Sequence, residues 1–289
     1  MNRTEFIKTS LFGLVSMTSL SSLKNLTDNL PETDHKMPVL FVGHGSPMNA
    51  IDDNEFSKGW EKMGATLPRP KVIICISAHW ETRGTFVTAM ENPKTIHDFG
   101  GFPQALFDVQ YPAPGSPATA REVKEQVKKN MVGLDQAWGL DHGCWSVAKR
   151  MFPKVDIPII QLSLDYTKDA AWHYEFSKEI AELRSKGVLF LGSGNMVHNL
   201  GMIDWDNFYA KMDWAEEANE KFKSLIMNND VQSLLSYNKL GKSVAMSIPT
   251  PEHYLPMLYS LSMKEEKEKL SFFNDKTMGP ISMTSFQIG

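Results

Sequence analysis

Four short runs constrain the fold of this chain more than any other feature: residues 38–42, 71–77, 157–164 and 188–191. Each is apolar, rich in β-branched residues and continuous rather than alternating. That is the pattern of strands covered on both faces. Helix-like stretches lie between them. Residues 116–130 open on Ser116-Pro117-Ala118, an N-cap serine with proline at the first helical position. Residues 170–185 carry Trp172, Phe176, Ile180 and Leu183 at helical spacing, with Gly187 ending the stretch. Residues 213–228 form a third. The alternation predicts an α/β fold: a single domain with a central, mostly parallel sheet flanked by helices. At 42% hydrophobic residues, the chain has the apolar material for such a core.

The folded part is expected to span residues 37–289. Residues 1–36 differ in character: Arg3 and Lys8 come first, then a moderately apolar stretch, then a Ser/Thr/Asn-rich one. They read as a signal-like or disordered N-terminal extension. The expectation is the bacterial periplasm if the segment serves as an export signal, and the cytoplasm otherwise. No other stretch reaches the roughly 20 apolar residues that span a bilayer. A net charge of −4 without a basic block argues against a nucleic-acid partner. Cys75 and Cys144 form no Cys-x-x-Cys pair, and Cys75, inside an apolar run, reads as a buried thiol. Oligomeric state is left open.

The histidines carry the chemistry. His44 follows the first apolar run in Gly43-His44-Gly45-Ser46-Pro47, His79 the second in Ser77-Ala78-His79-Trp80, and His198 comes just after the fourth. All three fall at the carboxyl ends of predicted strands, the edge where open α/β sheets bind ligands. His142 lies in a turn-like Asp141-His142-Gly143. His253 lies in Pro251-Glu252-His253, which resembles a helix start and places it in the first turn, facing a cleft. Converging neutral imidazoles are the usual protein ligands of iron and zinc. His35 and His173 read as surface or core residues. His97 sits in a Gly- and aromatic-rich loop, His97-Asp98-Phe99-Gly100-Gly101-Phe102, suited to wall a pocket. Competing motifs are weak: no Gly-x-Ser-x-Gly around Ser46, no full dinucleotide fingerprint at Gly192-Ser193-Gly194, no Walker lysine and no His-Glu-x-x-His.

Taken in order, several segments resemble the DODA-type (4,5-DOPA dioxygenase extradiol) branch of the class III extradiol ring-cleavage dioxygenases. They are Gly43-His44-Gly45-Ser46-Pro47-Met48-Asn49, Ser77-Ala78-His79-Trp80, residues 97–104, Tyr111-Pro112-Ala113-Pro114-Gly115-Ser116-Pro117, Asp141-His142-Gly143, Ser193-Gly194-Asn195 with Val197-His198-Asn199-Leu200, and residues 249–256. The resemblance covers nearly the whole chain outside the N-terminal extension. It implies that residues 37–289 form a catalytic domain inserting O2 into a DOPA-like catechol at a non-heme metal, with the catechol and O2 as its small-molecule partners. It further implies His44, His79 and His253 as metal ligands. His198 would stand beside the metal as a fourth ligand or as acid/base, and His142 would be a further catalytic histidine. The wider superfamily generally places two histidines and one glutamate on Fe(II). Here the third position reads as His253, with Glu252 beside it. An all-imidazole set suits Zn(II) as well. Fe(II) is nevertheless expected for activity, because Zn(II) has no accessible redox change. The alternatives are a zinc hydrolase using the same cluster to acidify bound water and a non-catalytic metal-binding or redox-sensing protein.

Overall fold

The computed structural model describes residues 36–204, 206–207 and 210–289. The expected N-terminal extension, with His35, lies outside the described residues apart from Lys36. The main sheet has six strands: β1 (Val39–Gly43), β2 (Val72–Ser77), β3 (Ile159–Gln161), β4 (Val188–Gly194), β5 (Leu270–Phe273) and β6 (Ser285–Ile288). They are ordered β3-β2-β4-β1-β6-β5. The first four run parallel, and β6 lies antiparallel between β1 and β5. This is the predicted α/β domain with a mostly parallel sheet.

Two runs differ from their sequence reading. Only Ile159–Gln161 of the run 157–164 joins the sheet; Leu164–Asp165 leaves it to pair with Glu81–Thr82. β4 continues to Gly194, because Gly192, Ser193 and Gly194 still have partners in β1.

Both faces of the sheet are covered. On one, Val39, Phe41, Ile74, Ile76, Val188 and Phe190 pack with Phe176 of α4 (Ala170–Lys178), Phe222 of α5 (Asp213–Met227) and Leu258 of α6 (Leu255–Ser262). On the other, Leu40, Val42, Ile73, Cys75, Leu189 and Leu191 pack with Trp60 of α1 (Glu55–Thr66) and Trp145 of α3 (His142–Met151). Successive residues alternate between the faces, and each face is buried, so the strands read as unbroken apolar runs. Full burial of one such side chain is worth about 1.5–3 kcal/mol.

Helix α2 (Pro117–Gln126) starts as its sequence predicts, with the Ser116 hydroxyl accepting from the Thr119 amide. The stretch 170–185 is α4 followed by a 3-10 turn, Ala181–Lys186, which ends at Gly187 in the left-handed region (φ 86°). Ile180 and Leu183 remain buried there. The buried Arg184 in that turn donates to the carbonyls of Met37 and Met263, both at 2.7 Å, and pairs with Glu268. One side chain thus ties the entry of β1 to the segment after α6. No helix among the described residues is long and apolar enough to cross a membrane.

Candidate metal centre

Parallel strands that end together deliver their following loops to one edge, and this edge collects five histidines. His44 leaves β1 with its amide donating to Gly194 O at 3.1 Å. Its Nδ1 lies 3.0 Å from Ser193 Oγ, and that hydroxyl donates its one proton to Gly143 O at 2.6 Å. Ser193 must therefore accept from His44 Nδ1–H, which leaves a lone pair on His44 Nε2. His79, two residues past β2, has Nδ1 3.4 Å from Asp98 Oδ2 and Nε2 3.1 Å from His44 Nε2. With its proton toward the carboxylate, His79 also presents a lone pair. Two lone pairs at 3.1 Å repel unless a cation or proton lies between them.

His253 completes a triangle. Ring centroids of His44, His79 and His253 are 5.0, 5.3 and 5.0 Å apart. Its Nδ1 is 3.0 Å from Glu252 Oε1, and its buried Nε2 has no hydrogen-bond partner. A buried unpartnered nitrogen costs about 1–3 kcal/mol, which coordination to a cation offsets. The donor set fits a divalent ion with an affinity for imidazole. Donor atoms of His44, His79 and His142 lie within 4.8 Å of one another, as do those of His198, Glu252 and His253.

His253 departs slightly from its sequence reading: α6 begins at Leu255, and His253 sits in the turn before it, with the Leu255 amide bonded to Pro251 O. That turn lies directly on the end of β4. A Cβ on Gly194 would stand 2.2 Å from His253 O, so only glycine permits the approach. His198 is held by its amide on Ser247 O, and its ring stacks on that of His253 at 3.5 Å and 8°.

His142 is the first residue of α3 rather than part of an isolated turn. Asp141, the N-cap, accepts from the Cys144 amide at 3.1 Å, from Ser77 Oγ at 2.7 Å and from Gln161 Nε2 at 2.6 Å. The His142 amide donates to Asp98 Oδ1 at 2.9 Å, and its Nδ1 is 3.0 Å from Asp98 Oδ2. Asp98, which contacts His79 and His142, and Asp141, which caps α3 beside them, are the residues the sequence reading overlooks. Their one signal in the sequence is adjacency to His97 and His142. His97 itself turns away, with Nε2 3.0 Å from Val109 O. His173 is a core residue whose Nδ1 meets Tyr259 Oη at 2.9 Å.

Burial, and then the neighbouring imidazoles, hold His44 and His253 well below the usual histidine range. Burial brings His79 down to about 3 and His198 to about 4. Asp98 is the counterpart: burial opposes its ionisation, but the contacts from His142 and then the charge of His79 hold its carboxyl below the usual range. At neutral pH the imidazoles of His44, His79, His198 and His253 are thus uncharged, and the Asp98 carboxylate is anionic.

The histidines floor a cleft of about 550 Å³, within the roughly 300–1,000 Å³ range of small-molecule sites. Phe99, Phe102, Leu200, Ile203 and Ile281 supply apolar walls. The site can hold a flat, polar-edged ligand whose oxygens point down at the imidazoles and whose ring packs against carbon.

The family described as "Catalytic LigB subunit of aromatic ring-opening dioxygenase" matches residues 34–283. A 4,5-DOPA dioxygenase extradiol of Escherichia coli K12 is 49% identical over 258 residues, covering 88% of this chain and 95% of that protein. One from Beta vulgaris is 33% identical over 263 residues, covering 88% and 94%. A crystal structure of an uncharacterized protein from Escherichia coli K12 superposes with a TM-score of 0.77 at 43% identity, covering 88% of this chain and all of that one.

Proposed function

Since the chain belongs to the family of the catalytic LigB subunit of aromatic ring-opening dioxygenases, we propose that it is an extradiol dioxygenase that inserts O2 into a DOPA-like catechol at a metal held by His44, His79 and His253. His198 stands within reach as a fourth ligand or as acid/base. The observation that carries this reading is the convergence of imidazole lone pairs, including the unpartnered Nε2 of His253, at the floor of one cleft. A bound Fe(II) would supply Lewis acidity to the catechol oxygens and redox chemistry toward O2, whereas Zn(II), a second compatible occupant, supplies only the former.

The remaining work falls to side chains of this chain. Phe99, Phe102 and Ile281 pack against the ring and exclude water from it. His198, neutral and facing the cleft, takes the proton of the second catechol hydroxyl and returns one as the ring opens. His142, whose Nδ1 faces Asp98, keeps its Nε2 available to hydrogen-bond the substrate or to share the proton work. The family does not favour the zinc hydrolase alternative.

The test is anaerobic loading with Fe(II), then O2 uptake across a panel of catechols that includes DOPA, with the ring-opened product followed as a yellow chromophore. Stoichiometric O2 uptake with Fe(II) and none with Zn(II) is expected. An iron-loaded protein inert toward every catechol, or an iron-free Zn(II) form that turns over, would overturn the proposal.

A further inference from the structure

We propose that Asp98 is a positioning residue that sets the tautomers of His79 and His142 together, so that each presents an unprotonated Nε2 to the cleft. The inference rests on the reading of the cleft floor as a metal site. Asp98 lies on the loop between the second strand and α2, 44 residues from His142 in sequence. Its Oδ1 accepts the His142 backbone amide at 2.9 Å. Its Oδ2 is 3.0 Å from His142 Nδ1 and 3.4 Å from His79 Nδ1. The two rings it addresses are 3.9 Å apart, centroid to centroid. One oxygen thus faces two ring nitrogens. The His142 contact is bent away from an ideal hydrogen bond, as expected when two N–H donors share one acceptor.

The arrangement is hard to explain as helix capping. Asp141 already caps α3 through the Cys144 amide and is anchored by Ser77 and Gln161. Asp98 is a second carboxylate beside the same helix terminus, and after burial its charge is what most raises the Asp141 carboxyl. Two repelling carboxylates where one suffices for the cap need another purpose, and the ring nitrogens provide it. Which imidazole nitrogen carries the proton is set by the hydrogen bond made at the other nitrogen. With an anion at both Nδ1 atoms, both protons go there and both Nε2 lone pairs face inward. For His79 that lone pair points at His44 Nε2. For His142 it is the acceptor left to the substrate. Asp98 therefore links the orientation of a metal ligand to that of an acid/base group through a single oxygen.

The experiment uses Asp98→Asn, Asp98→Ala and Asp98→Glu in the full chain. Long-range ¹H–¹⁵N spectra of the histidine rings read the tautomers directly. Wild type is expected to carry the proton on Nδ1 of both His79 and His142, and Asp98→Ala to move it to Nε2 on at least one. Zn(II) affinity, measured by chelator competition, is expected to fall about 10–100-fold in Asp98→Asn and Asp98→Ala, with Asp98→Glu recovering part of the loss. At saturating Fe(II), kcat falls while KM for the catechol stays within about twofold. Should Asp98→Ala not fold, the near-isosteric Asp98→Asn carries the same readouts. Unchanged tautomers with Zn(II) affinity within about twofold of wild type in the folded variants would overturn the proposal. The ring spectra and Zn(II) affinity need no catechol, so they test the role of Asp98 even if the dioxygenase reading fails.

Discussion

Gly194→Ala probes how the cleft floor is built without touching a histidine. The new Cβ would lie 2.2 Å from His253 O, 3.1 Å from His253 C and 3.2 Å from Pro256 Cγ. An ordinary contact begins near 3.4 Å, so the His253 carbonyl must retreat by about 1 Å. The atoms in the way are mainly backbone and cannot swing aside. Overpacking of this kind costs about 1–3 kcal/mol. The retreat also strains the 2.8 Å bond from the Asn195 amide to His253 O, whose loss adds about 0.5–1.5 kcal/mol. A total of about 2–4 kcal/mol corresponds to a fall in Tm of roughly 5–15 °C for a domain of this size. The His253 ring moves with its backbone, and a misplacement of about 1 Å is worth about 10²-fold in rate. Thermal unfolding, chelator competition for Zn(II) and O2 uptake by the Fe(II) form are the assays. Gly100→Ala is the control for stability, because its Cβ would meet nothing within 4 Å; a change within about 0.5 kcal/mol is expected there. A Gly194→Ala protein with wild-type Tm, metal affinity and kcat would refute the claim that this contact places His253.

Alanine at His44, His79 or His253 should each abolish stoichiometric metal, read by elemental analysis, whereas His198→Gln should keep it and lower kcat by about 10²–10⁴-fold; full metal in all three alanine variants would remove the site. His173, fully buried and brought down to about 4 by burial, gives a pH prediction outside the cluster. The unfolded chain takes up its proton near pH 6.5 and the folded chain only near pH 4. Stability is therefore complete above about pH 6.5 and falls as pH drops through that window, by about 3 kcal/mol. Urea unfolding of His173→Phe should show that part of the acid slope missing, and an unchanged slope would assign it elsewhere. Arg184→Ala leaves Glu268 without its cation and the Met37 and Met263 carbonyls without a donor. A loss of about 3–5 kcal/mol is expected in denaturant unfolding, and a loss under about 1 kcal/mol would show that the pair is not a fastening.

What could be read along the chain was local. Four strands buried on both faces appear as unbroken apolar runs, because neither face of such a strand has to be polar. Ser116-Pro117 announces a helix start because a hydroxyl and a missing N–H solve a problem within one turn. The histidines at strand ends stand out because glycines beside them mark the sheet edge where ligands bind. The edge strand β5 escaped because Leu270–Phe273 is only partly buried and carries no unbroken apolar run, and β6 because Ser285 and Gln287 interrupt its apolar residues. Helix α3 escaped because most of its residues are buried, so it has no polar face to reveal a helical period.

Residue type and position along the strands were thus enough to indicate the α/β fold and the sheet edge at which the histidines gather. Only the tertiary structure decided which nitrogen of each donor faces inward. That choice is made by Ser193 for His44, 149 residues away, by Asp98 for His79 and His142, and by the packing of the Glu252–His253 turn onto Gly194. A lone pair is directed by the polar contact at the opposite side of its ring, and for His44, His79 and His142 that contact reaches across the sheet edge to residues with no periodic relation to the histidine they orient.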